Sequence, residues 1–165
     1  MRERIIVPLD GSKVGESALP YVEDLMSKMS PEVEKEVVLL QVLTKEQVAP
    51  QVTVATAART QAGVFLDIDE LEKKGEETKT QALHYLDEVG ETLRDEGITV
   101  TAKLAVGNAA EEIVKTAEET DANLIAMSTH GRSGLSRWAF GSVTDRVLRW
   151  EGKIPIAMIR APKKS

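Results

Sequence analysis

The apolar positions of this chain fall into two alternating kinds of pattern. Short, nearly continuous apolar runs occur at Arg4–Leu9 (RIIVPL), Glu36–Leu43 (EVVLLQVL), Leu124–Met127 (LIAM) and Lys153–Ile159 (KIPIAMI). Runs of this length without a polar face predict strands covered on both sides of a sheet. A further segment, Ile98 to Val106, alternates more cleanly, with Ile98, Val100, Ala102, Leu104 and Val106 on one face. Between these segments the apolar residues adopt helical spacing. Val14, Ala18, Val22, Leu25 and Met29 mark a first helix, and Ala82, Leu86, Val89 and Leu93 a second. Ala110, Ile113, Val114 and Ala117 mark a third, and Val143, Val147 and Trp150 a fourth. Asp10-Gly-Ser12 turns the chain after the first strand, and Gly97 stops the second helix. Pro20, inside the first helical pattern, predicts a kink.

Strands alternating with helices predict an α/β fold, a Rossmann-like open five-stranded parallel sheet. Right-handed crossovers then place helices on both faces. At 165 residues the chain is read as one domain, 1–165. Residues 44–75 exceed an ordinary connection and read as a long surface insertion. Within it, Phe65, Ile68 and Leu71 lie among acids and lysines, a spacing that permits a short amphipathic helix over Asp67 to Lys74.

Composition removes several functions. No cysteine is present, so disulfides and thiolate metal sites are excluded, which suits a cytoplasmic setting. The start of the chain reads as no signal peptide, and no apolar run reaches the roughly 18 residues of a membrane span. A net charge of −6 and an aromatic content of 4% argue against nucleic-acid and membrane partners.

The chemistry concentrates in one connection. Met127 to Ser142 (MSTHGRSGLSRWAFGS) holds three glycines, four serines, two arginines and a histidine. It leaves the fourth strand and enters the fourth helix. Successive backbone amides in such a loop form an anion-binding concavity. Gly141-Ser142 opens a helix, whose free N–H groups and dipole favour phosphate. Arg132 and Arg137 supply charge. An ordinary flexible loop with a capped helix explains the same residues equally well. His130 reads as a structural hydrogen-bonding residue, and Trp138 and Phe140 as apolar anchors. Open parallel sheets bind ligands beyond the carboxyl ends of their strands, where strand order reverses. Pro8-Leu-Asp-Gly-Ser12, Val42-Leu43 and the 127–142 loop all lie at such ends, and converge only if the first strand neighbours the fourth. Neither G-x-x-x-x-G-K-[ST] nor a G-x-G-x-x-G after the first strand is present, so a P-loop or a standard dinucleotide fold is disfavoured.

Taken together, the chain resembles the universal stress protein family over nearly its full length. The matching pieces are Ile5–Ser12 with Ala18-Leu19, Leu39–Val42, Ala110–Ile113, Asp121–Gly134, Gly141–Val147 and Ile154–Ile159. ATP-binding members carry G-x-x-G, nine residues, then G-[ST]. Here Gly131, the nine residues Arg132 to Phe140, and Gly141-Ser142 match, whereas Ser128 replaces the first glycine. If that position demands glycine's conformational freedom, serine strains the backbone or closes the site. If it demands only a small residue, the hydroxyl adds a contact.

The resemblance implies a strand order of 3-2-1-4-5 and an adenine nucleotide as ligand: ATP, or ADP or AMP, with Mg²⁺ or Mn²⁺ on the phosphates. By position it places Asp10 against the ribose or adenine, beside Pro8 and Leu9. It assigns the backbone of Val42 to the adenine edge and that of Met127 to the flank of the base. Ser128, Gly131, Gly141, Ser142 and Val143 cradle the phosphates, with Arg132 a weaker contact. Asp10 also has a plainer reading, as a helix cap with Ser12. The implied role is a stress-response regulator that signals through nucleotide-dependent conformation or partner choice, including an unidentified protein partner. Alternatives are a slow ATPase and a family member that binds no nucleotide. No nucleophile with a base at suggestive spacing supports catalysis beyond weak ATP hydrolysis. The fifth strand, Ile154 to Ile159, lies at a sheet edge in the family order, and the resemblance implies a homodimer through it.

Overall fold

The computed structural model describes residues 1–49, 68–129 and 141–162. Five strands form one sheet: β1 (Arg2–Leu9), β2 (Glu34–Leu43), β3 (Thr99–Val106), β4 (Leu124–Thr129) and β5 (Ile156–Arg160). Their order is β3-β2-β1-β4-β5, and every neighbouring pair is parallel. The helices are α1 (Leu19–Ser27), α2 (Lys45–Val48), α3 (Ile68–Asp95), α4 (Ala109–Glu119) and α5 (Ser142–Leu148).

The two-faced burial explains the near-continuous apolar runs. On β1, Ile5, Val7 and Leu9 join Val37 and Leu39 of β2 in a core with Val22 and Met26 of α1 and Leu86 and Leu93 of α3. Ile6, Val38 and Leu40 point the other way, into a core with Ile113 and Ala117 of α4 and Val147 of α5. Alternate residues of one strand thus enter different cores, and neither face is left polar.

Three expectations change. The 3₁₀ turn Gly15–Ala18 precedes α1, so Pro20 lies in the first turn of the helix and not in its interior. There its missing N–H removes no helical hydrogen bond, and no kink is required. Helix enters the 44–75 stretch from both ends. Thr44 caps α2 reciprocally with Gln47, at 3.3 and 2.7 Å. The short helix expected over Asp67 to Lys74 is the beginning of α3, which runs for 28 residues. Between Leu71 and Ala82 it lacks apolar residues but is rich in Glu and Lys, and ion pairs Glu70–Lys74 and Glu76–Lys79 line its first half. α3 ends as expected at Gly97, whose φ of +76° lets its N–H reach the Arg94 carbonyl. Lastly, α5 stops at Leu148, and Trp150 beyond it packs on the α4–α5 core. β5 starts at Ile156, because Pro155 has no N–H for the ladder and only its carbonyl is used, by the Ile125 amide.

Candidate functional site

The site arises where β1 parts from β4. β1 pairs with β2 as far as Leu9↔Gln41. Its ladder with β4 holds only Ile5↔Leu124 and Ile6↔Ile125, although β4 and β5 stay paired to Thr129↔Arg160. Pro8 accounts for the early end. The Arg4 carbonyl accepts from the Asn123 amide, so even-numbered peptides of β1 face β4. Pro8 falls in that series and has no N–H to donate. Beyond Ile6 the strands separate, at the point where strand order reverses, and a cavity of about 490 Å³ opens between them.

One wall is the chain after β1. Pro8, Leu9 and Asp10 line the cavity, as do Val14 and Gly15. Gly11 makes the turn with φ +82°. Asp10 Oδ1 accepts from the Ser12 amide at 2.9 Å and from the Ser12 hydroxyl at 2.6 Å. That oxygen serves the turn and caps no helix, since neither the 3₁₀ turn nor α1 has a side-chain cap bond. The Gly15 amide donates to Ser12 Oγ at 3.1 Å. Gly15 lies so close that a Cβ there would stand 2.7 Å from Asp10 Oδ1. From α3, the Tyr85 hydroxyl donates to Glu16 Oε1 at 3.3 Å and braces the turn from behind. Burial first, then the carboxylates of Glu16 and Asp10, push the phenol above its ordinary pKa, so it stays a donor.

The floor and far wall come from β2, β4 and two helices. Val42 lines the cavity. The Leu43 carbonyl accepts from Gly107 on the β3 side, so the carbonyl of Val42 points the other way, toward the end of β1. β4 contributes Met127. The Ile125 amide and the Thr129 carbonyl both bond on the β5 side, and Met127 shares their direction. Met127 is buried and lines the cavity. Ser128 sits in paired strand opposite Ile159, outside the left-handed region, so serine causes no backbone strain here. Its hydroxyl donates to the Gly15 carbonyl at 2.8 Å.

Gly141 and Val143 close the far side with Thr144. Gly141 is the N-cap of α5 without a side-chain bond, and its carbonyl accepts from Asp145 at 2.9 Å. Ser142 begins the helix next to it and is exposed. Gly131 and Arg132 lie outside the described residues, as do Arg137, His130, Trp138 and Phe140. Gly15, Thr144 and the α4 residues Ala109 and Ile113 also line the cavity and were not singled out in the sequence. α4 follows a strand end on this side of the sheet, which is the signal that points to Ala109. Gly15 has no comparable signal, since its closeness to Asp10 exists only in the folded turn.

Comparisons with known proteins agree with this architecture. The model of the universal stress protein family matches residues 1–160. Universal stress protein MJ0577 of Methanocaldococcus jannaschii is 28% identical over 161 residues, covering 97% of this chain and 96% of that protein. Universal stress protein YxiE of Bacillus subtilis is 26% identical over 160 residues, covering 97% and 100%. The solved structure of MJ0577 superposes with a TM-score of 0.70 at 25% identity, covering 98% of each chain. A universal stress protein family protein from Arabidopsis thaliana, solved with AMP bound, shares the fold at 15% identity, with a TM-score of 0.60 and coverage of 97% and 92%. A universal stress protein in complex with cAMP does so at 16% identity, with a TM-score of 0.57 and coverage of 96% of each chain. The family model spans almost the whole chain, and the fold and strand order accord with it: this protein belongs to the universal stress protein family.

Proposed function

We propose that this protein binds an adenine nucleotide, ATP in the first instance, in the cleft between β1 and β4. The observation that carries the reading is the cavity itself. It has a carboxylate, Asp10, on one wall and a side-chain-free N-cap, Gly141, on the other. A carboxylate suits ribose hydroxyls. A helix start whose N-cap residue has no side chain suits phosphate. The Val42 carbonyl suits an adenine amino group. The AMP and cAMP complexes of two structural neighbours support an adenine nucleotide as the ligand class. Mg²⁺ or Mn²⁺ enters with the nucleotide, on phosphate oxygens. In this reading the protein is a cytoplasmic regulator whose bound nucleotide sets its conformation or its choice of partner.

Purified protein, denatured and chromatographed, is expected to release an adenine nucleotide. Mg-ATP at a hundredfold excess over Kd should add about 2.7 kcal/mol of stability. For a chain of this size that raises Tm by roughly 5–10 °C. No released nucleotide and no shift at millimolar Mg-ATP would overturn the reading.

A homodimer through β5 belongs to the same proposal. β5 is the last strand of the sheet, and Ile156, Ala157, Met158 and Ile159 are each only part-buried within one chain. An apolar edge in that state favours pairing with its twofold copy. Sedimentation at micromolar concentration should give a dimer, and a monomer would refute the assembly.

A further inference from the structure

We propose that Ser128 is a positioning residue, which aims the Asp10 carboxylate at a ribose hydroxyl through a chain of hydrogen bonds. This rests on the nucleotide reading above and assigns a role to the residue that departs from the family's glycine. The chain has three links. The Ser128 hydroxyl donates to the Gly15 carbonyl at 2.8 Å. The Gly15 amide donates to Ser12 Oγ at 3.1 Å. The Ser12 hydroxyl donates to Asp10 Oδ1 at 2.6 Å.

Each hydroxyl proton is used once, and each link runs in one direction. Ser128 is the last residue but one of β4, and Asp10 stands across the cleft from it. The links therefore tie the two walls of the cavity together. Oδ1 also accepts the Ser12 amide, so it is satisfied by two donors, while Oδ2 has no donor among the described residues. Fixing one oxygen fixes the plane of the carboxylate. The other oxygen then accepts from a ligand hydroxyl without first being ordered, which lowers the cost of binding. The glycine at 15 is part of the device. A side chain there would collide with Oδ1, and the turn could not close on Asp10. With glycine at position 128, the turn would lose this side-chain tie to β4.

The test is a set of affinities by calorimetry for ATP, 2′-deoxy-ATP and 3′-deoxy-ATP. The wild type should bind one deoxy analogue at least about tenfold more weakly than ATP, as expected for a hydrogen bond to a charged group. Ser128→Ala and Ser12→Ala should each shrink that ratio about three- to tenfold. Because both act through one chain, the double variant should lose no more than the worse single one. Ser128→Gly should behave like Ser128→Ala. Ratios that stay at the wild-type value in both single variants overturn the proposal and leave nucleotide binding standing. So does a wild type that binds all three nucleotides equally, a double variant whose losses multiply, or tighter ATP binding by Ser128→Gly. A wild type that binds none of them overturns the nucleotide reading itself, and this proposal with it.

Discussion

Gly141→Val is expected to lower affinity for ATP at least about a hundredfold while leaving the protein folded. The two halves of that expectation have separate physical grounds. Gly141 has φ −62° and ψ 158°, a conformation open to any residue, so valine introduces no backbone strain. A Cβ at this position meets no described atom within 4 Å. The stability cost is that of a poor N-cap, about 1 kcal/mol or less. The open space is, however, the cavity, which Gly141 lines beside Val143 and Thr144. Two methyl groups placed there exclude the phosphate oxygens from the start of α5. They also replace solvated polar lining with apolar surface facing an anion, which is unfavourable. Gly141→Ala, with one carbon, should fall between, at roughly a tenfold loss. Calorimetry with Mg-ATP measures affinity, and thermal denaturation without nucleotide measures fold. Undiminished affinity in a folded Gly141→Val protein would reject this cavity as the phosphate site.

The ease with which these features were read from the sequence follows from what each depends on. The strands were legible because burial on both faces of a parallel sheet leaves only apolar residues at Ile5–Val7 and Val37–Leu40. α4 was legible because Ala110, Ile113 and Ala117 line up at helical spacing against one core. The stretch of α3 from Lys74 to Ala82 was not, since a solvated helix segment held by Glu–Lys pairs carries no apolar stripe for periodicity to find. Pro8 was placed at the site, but its effect depends on which neighbour its missing N–H faces, and that is a matter of register. Ser128 shows the same limit more sharply. Whether serine strains its position depends on φ, and whether it closes the site depends on where Oγ points. Neither is a property of the motif. The strand pairing removes the strain, and the hydroxyl spends its proton on the Gly15 carbonyl.

Arg4→Ala is expected to cause the largest loss of stability of any change proposed, about 3 kcal/mol, with no effect on nucleotide affinity where the variant remains folded. Arg4 lies at the amino end of β1, opposite Glu36 of β2 in the parallel register. Its Nε and Nη2 both donate to Glu36 Oε2, at 2.8 and 2.6 Å. Nη1 donates to the Thr120 carbonyl at the end of α4. The Arg4 amide donates to Asn123 Oδ1 at 2.9 Å, and the Asn123 amide returns to the Arg4 carbonyl at 2.8 Å. One residue therefore ties β1, β2 and the α4–β4 turn, where Asp121 adopts φ 50°. The two side chains are only 13% and 15% exposed. Removing the guanidinium leaves a carboxylate largely shut off from water with no counter-charge, which is the costly way to break such a pair. The value is set at the low end of the range for buried pairs because some solvent still reaches Glu36. In urea the midpoint should fall by roughly 1–2 M. Arg4→Lys keeps the charge but loses the fork and the Thr120 contact, and should be intermediate. Arg4→Met combined with Glu36→Leu removes both charges and should recover most of the loss, the coupling being read from the double-mutant cycle. Six residues of strand, about 20 Å, separate Arg4 from Asp10. ATP affinity below the unfolding transition should therefore match the wild type. A loss under 0.5 kcal/mol for Arg4→Ala, roughly what an exposed pair contributes, would show that the three-way tie adds little to the fold.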